Sequence, residues 1–170
     1  YLVSAGISLY RFILMVIFSS GIANRVKRRP LFIATAIAMA IGNFVIATYF
    51  MLRRDVEFTE SYPFVKWAPV IGIIVIYTAF AMGYGTVPYM LQGEILPPYA
   101  RAIGAGILVF ISNISMFIAA KLGPTMSDII GTDGAFYIFS CVAVITTIFA
   151  YFTMPETFNL SLEEIEKIYQ

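Results

Sequence analysis

The sequence predicts an all-α membrane protein with five transmembrane helices, and two observations carry that prediction. Of 170 residues, 60% are hydrophobic and only 12% charged, with a mean hydropathy of +0.85. An ordinary soluble domain has about twice that charged share. The apolar residues also gather into five runs, each near the roughly 20 residues that cross hydrocarbon as a helix. Strand-like alternation is missing, and backbone groups inside a bilayer must find partners within their own segment, so the runs are read as helices.

The first span covers about 2–22, the second 31–52 and the third 67–91. The fourth covers about 102–120 and the fifth 134–152. Polar connections separate them: RRDVEFTESYPFVK at 53–66, and the Gly- and turn-rich KLGPTMSDIIGTDG at 121–134. Residues 154–170 form a tail. There Pro155 stops the fifth span, and Ser161 with Glu164 makes an S-x-x-E capping box. A short amphipathic helix follows, with Leu162, Ile165, Ile168 and Tyr169 on one face. The chain opens on YLVSAG without Met, already inside an apolar run, and reads as a fragment of a longer membrane protein.

If each run crosses once, three polar signatures fall on the same face: NRVKRRPL (24–31), GEILPPYAR (93–101) and PETFNLSLEEIEKI (155–168). That face holds Arg25, Lys27, Arg28, Arg29, Arg101 and Lys167; the other holds Arg53, Arg54, Lys66 and Lys121. The crowding of basic residues at 25–29 beside the membrane assigns the signatures, and the C-terminus, to the cytoplasm. A net charge of +1 argues against a nucleic-acid partner. Histidine is absent and Cys141 is the single cysteine, which removes an intrachain disulfide and most metal and triad chemistry. No P-loop, zinc motif or nucleophile elbow is present, so neither a cofactor nor an enzyme activity is expected.

Candidate sites lie at the polar interruptions. Gly83, Gly85 and Pro88 end the third span in GYGTVPYMLQGE. Pro88 deletes a backbone hydrogen bond and disfavours helix at Val87, so a bend is expected, serving as a gate or as a passive kink. Tyr89 is either part of a polar path or an interfacial anchor. Glu94 stands at the C-terminal end of the third helix and Arg101 at the N-terminal end of the fourth. Each is the wrong sign for its helix dipole, which predicts other partners: Arg25, Arg28 or Arg29 for Glu94, and Glu156 for Arg101. Asn113 lies within the fourth span, as interhelical glue or as a ligand contact. Arg11, beside Tyr10 within the first span, faces a cavity or partner, or snorkels towards the surface.

Taken together, the three signatures resemble the C-terminal half of a sugar porter of the major facilitator superfamily, helices eight to twelve. The family's basic loop, D-R-x-G-R-R-P-L, corresponds to 24–31. Its tenth-helix G-x-G-P-x-P-W, with a following Glu and Arg, corresponds to Gly83–Tyr89, Glu94 and Arg101. Its P-E-T-K-G-x-x-L-E-E-I tail corresponds to PETFNLSLEEI. The tail and loops are similar in style to an insect trehalose-transporter branch.

The resemblance implies a twelve-helix transporter in two halves, with the substrate at midplane between them and the N-terminal half as partner. It implies that Tyr89, Pro88, Gly85 and Asn113 lie along the sugar path. It also implies that Arg25, Arg28, Arg29, Glu94, Arg101 and Glu156 form a charge network that latches the inner gate. The implied function is movement of a hexose or trehalose by alternating access across a plasma membrane. Facilitated diffusion is favoured over proton coupling because no titratable carboxylate lies within these spans. A non-transporting sugar sensor, or a transporter of another organic solute with Arg11 as counter-charge, are the alternatives. Asn24, Lys27, Thr86, Tyr89 and Phe158-Asn159 depart from the family pattern, and apolar residues around Ala81 and Met82 replace the tenth helix's usual acid.

Overall fold

The computed structural model describes residues 2–18, 26–53, 63–96 and 98–156, and within them the chain is almost entirely helical. Helix α1 is Leu2–Ile17 and α2 is Arg28–Leu52. A 3₁₀ turn, Pro63–Trp67, leads into α3, Ala68–Ala79. One turn of π-helix, Phe80–Tyr84, joins α3 to α4, Val87–Ile95. The remaining helical run, Pro98–Thr153, is broken at Gly131, which has φ 84° and ψ 158°. Its two parts are α5 (98–130) and α6 (132–153). Arg25 and the tail helix expected after Ser161 lie outside the described residues.

Among the described residues, three helical stretches are long and apolar enough to cross a membrane: Arg28–Leu52, Val65–Ile95 and Tyr99–Thr153, while the described part of α1 is shorter. The third stretch carries α5 and α6 together. It must return towards its starting end, because Glu94, just before it, and Glu156, just after it, both bond to Arg28. The reversal falls on Gly131, in the positive-φ region that glycine tolerates.

One expectation is corrected. The turn-rich connection at 121–134 is helical up to Ile130 despite Pro124, with the Thr125 hydroxyl bonding back to the Lys121 carbonyl at 3.3 Å. Apolar surroundings favour a helix that satisfies its own backbone over an open loop. The third span, expected over 67–91 with a bend near Gly83–Pro88, lies within one helical stretch, Val65–Ile95, in which α3, a π turn and α4 follow in succession.

Helix α2 is the hub. On one side it crosses α3 at glycines: a Cβ on Gly42 would lie 3.2 Å from the Gly72 carbonyl, and one on Gly72 would lie 3.1 Å from the Gly42 carbonyl. Small residues let the backbones approach this closely, as membrane helix pairs require in the absence of a hydrophobic driving force. On the other side α6 runs antiparallel to α2. The buried Ser140 hydroxyl donates to the Ala40 carbonyl at 2.9 Å, and Tyr137 meets Thr48 at 3.3 Å. At the lower end Phe32, Val87 and Ala150 from α2, α4 and α6 form a small buried cluster. Phe32 stacks on Tyr84 with ring centroids 5.5 Å apart. Helix α1 runs alongside α3, with the Tyr10 hydroxyl 2.9 Å from that of Thr78.

Candidate functional site

The polar signatures meet at one end of the bundle. Arg28, in the first turn of α2, is 6% exposed, and its Nε and Nη2 both donate to Oε1 of Glu94, at 3.1 and 3.0 Å. Glu94 sits in the last turn of α4, where its charge opposes the helix dipole, so the Arg28 cation offsets the mismatch.

Glu156 plays a different part. Its carboxylate accepts the backbone N–H of Arg28 at 3.0 Å and of Arg29 at 3.3 Å, one on each oxygen. These are the first two amides of α2, which no carbonyl within the helix can reach. Lys27, the residue before α2, makes no side-chain cap, so an acid from after α6 does that work. Arg29 reciprocates: its guanidinium bonds the Tyr151 carbonyl near the end of α6 and lies 5.5 Å from the Tyr151 ring centroid. An anion sits at the start of α2 and a cation at the end of α6, both favourable to their dipoles.

The expected Arg101–Glu156 pairing is corrected. Arg101 donates to the Leu96 carbonyl at 3.4 Å, and among the described residues it meets no carboxylate. Both Glu156 oxygens are turned to the amides of α2. The Leu96 carbonyl, at the C-terminal cap of α4, is the negative end of a dipole and suits a cation.

The residues expected along a sugar path are divided between two cavities. Gly85 and Tyr89 line one of about 510 Å³, together with Arg11, Phe80 and Thr86. Pro88 lines the other, an apolar cleft of about 360 Å³ between α2, α4 and α6. Asn113 lies in neither; its exposed amide bonds the Val109 carbonyl of its own helix at 2.8 Å.

The π turn shapes the first cavity. Gly85 N–H reaches the Phe80 carbonyl, five residues back, at 3.0 Å, and Thr86 N–H reaches Gly83 at 3.0 Å. The Thr86 hydroxyl donates to the Ala81 carbonyl at 2.9 Å, satisfying a group that the irregular turn releases. Two contacts hold this geometry. A Cβ on Gly83 would fall 2.5 Å from Thr35 Oγ1 of α2, and one on Gly85 would fall 2.6 Å from the Phe80 ring.

Phe80 and Thr35 were not legible as site residues, since one sits in an unbroken apolar run and the other in an ordinary helix. Arg11 was legible as an intramembrane cation. Its guanidinium carbon lies 5.1 Å from the Phe80 ring centroid and 6.0 Å from that of Tyr77. Such ring contacts contribute about 0.5–2 kcal/mol, whereas a cation at the centre of a span costs about 2.5–3.5 kcal/mol on insertion scales.

Residues 1–169 match the family described as "Sugar (and other) transporter". The chain belongs to that family. The sugar transporter family's fold is borne out as well. The chain superposes on the inward-open xylose transporter XylE from E. coli with a TM-score of 0.80 at 24% identity, covering 96% of this chain and 35% of that one. Among curated proteins, it is 30% identical over 146 residues to the facilitated trehalose transporter Tret1 of Apis mellifera ligustica. It is 31% identical over 144 residues to Tret1 of Drosophila willistoni. Those alignments cover 86% and 85% of this chain but 28% and 16% of the relatives, so the chain spans under a third of their length.

Proposed function

We propose that this chain is the C-terminal part, helices eight to twelve, of a transporter that carries a sugar, hexose or trehalose, across a membrane by alternating access. The observation that carries this reading is the family match over residues 1–169. The relatives named as trehalose transporters and the fold shared with a xylose transporter support the same substrate class. An N-terminal half completes the substrate path, facilitated diffusion is the mode, and the plasma membrane is the site. The basic end with Lys27, Arg28 and Arg29 is cytoplasmic, and so is the C-terminus.

In this reading the Arg28–Glu94 pair latches the inner side and the π turn is the joint about which α4 moves. Two features support those roles. The pair ties the start of α2 to the end of α4, and the turn carries glycines where helix bonding is already irregular. The direct test is uptake of labelled glucose and trehalose into liposomes containing the full-length transporter. Saturable, stereoselective uptake is expected, and the absence of saturable uptake across a sugar panel overturns the reading.

A further inference from the structure

The cavity beside the π turn holds a cation that the sugar reading leaves unexplained. Val65–Ile95 forms one long apolar stretch, and Phe80 lies at its centre. Arg11, over the Phe80 ring, is therefore at mid-depth, where a charge persists only with a partner or in a polar path. Among the described residues Arg11 makes contact with rings alone: no carboxylate lies within ion-pair distance and no carbonyl accepts from its guanidinium. Arg11 is an exposed residue and lines the 510 Å³ cavity.

The other lining groups are those a sugar ring uses. Tyr89 is 49% exposed and, with Phe80, offers aromatic surface. The Thr86 hydroxyl donates its proton to Ala81 and keeps its lone pairs for a ligand hydroxyl. A guanidinium in a low-dielectric cavity attracts anions, and its planar fork matches a carboxylate in bidentate fashion.

We propose that this cavity takes an acidic sugar, a hexuronate or similar polyhydroxy acid, with Arg11 holding the carboxylate while Tyr89 and Phe80 flank the ring. The proposal rests on the sugar-transport reading and narrows its substrate class. A carboxylate side chain from another part of the full-length transporter is the competing source of the same counter-charge.

The test uses the full-length transporter in liposomes, with labelled glucose and labelled glucuronate, and with unlabelled glucuronate and its neutral amide as competitors. Saturable glucuronate uptake is expected, with glucuronate competing better than the amide. Arg11→Gln should lower the glucuronate-to-glucose ratio of kcat/KM by about tenfold or more, and Arg11→Lys should keep most of it. If glucose uptake is saturable but glucuronate is neither carried nor competes, the acid assignment fails while sugar transport stands. If Arg11→Gln depresses both substrates by the same factor, Arg11 serves an internal partner and the assignment fails. If no sugar, neutral or acidic, is taken up saturably by the folded wild type, it is the transport reading itself that fails. The wild-type competition needs no variant, so a poorly folding Arg11→Gln leaves the question decided.

Discussion

Glu94 and Glu156 are both acids beside Arg28, yet they hold different things, and their substitution should show it. Glu94→Gln removes the charge opposite a guanidinium that is 7% exposed. Glu94 itself is 29% exposed, so the cost falls between the exposed-pair and buried-pair limits, at about 2 kcal/mol. Thermal unfolding of the detergent-solubilised transporter should register this loss. Cysteine accessibility should also shift towards the state with the basic end open. Glu156→Ala should cost about 1–2 kcal/mol as a lost helix cap. Glu156→Gln should cost less, because an amide oxygen still accepts an N–H. Equal losses for Ala and Gln would refute the capping role. The sequence showed that Glu94 needed a partner, since its dipole mismatch is local. It did not show where Glu156 goes, because the free amides of α2 become its best partners only once α6 lies antiparallel to α2.

At the scale of elements, the bend below α3 was legible and its form was not. Gly83, Gly85 and Pro88 announce a break from sequence alone. The five-residue backbone reach from Gly85 to Phe80 is accompanied by Thr35 closing in on Gly83 from α2, a long-range approach that no local pattern encodes. Gly83→Ala should therefore destabilise the transporter by about 1–3 kcal/mol through overpacking. Adding Thr35→Ala should restore part of that loss, as read by the thermal midpoints of the single and double variants. A double variant no better than the single would show that contact with Thr35 is not what fixes the turn. The run through Pro124 teaches the converse. Gly and Pro at 121–134 suggested a loop, but only Gly131, the residue with positive φ, reverses the chain.

Across the whole molecule, α2 is fastened to α6 at three heights: Glu156 on the amides of Arg28 and Arg29, Ser140 on Ala40, and Tyr137 on Thr48. The first two fastenings are about 18 Å apart along α2 at 1.5 Å per residue. A disulfide engineered between Ala40→Cys and Ser140→Cys should leave most sugar uptake intact if, as the proposed cycle requires, α2 and α6 move as one. One between Arg28→Cys and Glu94→Cys should abolish uptake until it is reduced. Loss of uptake with the first bridge would refute the rigid pairing of α2 with α6.

The nine residues of α4 hang from the π turn as a short lever. From Tyr84 to Glu94 the arm is about 15 Å long, so a tilt of about 20° at the turn swings its tip by about 5 Å. The ion pair at that tip is 3.0 Å long. A rotation no larger than an ordinary helix kink is therefore enough to carry Glu94 out of reach of Arg28, and the leverage comes from the distance between joint and charge.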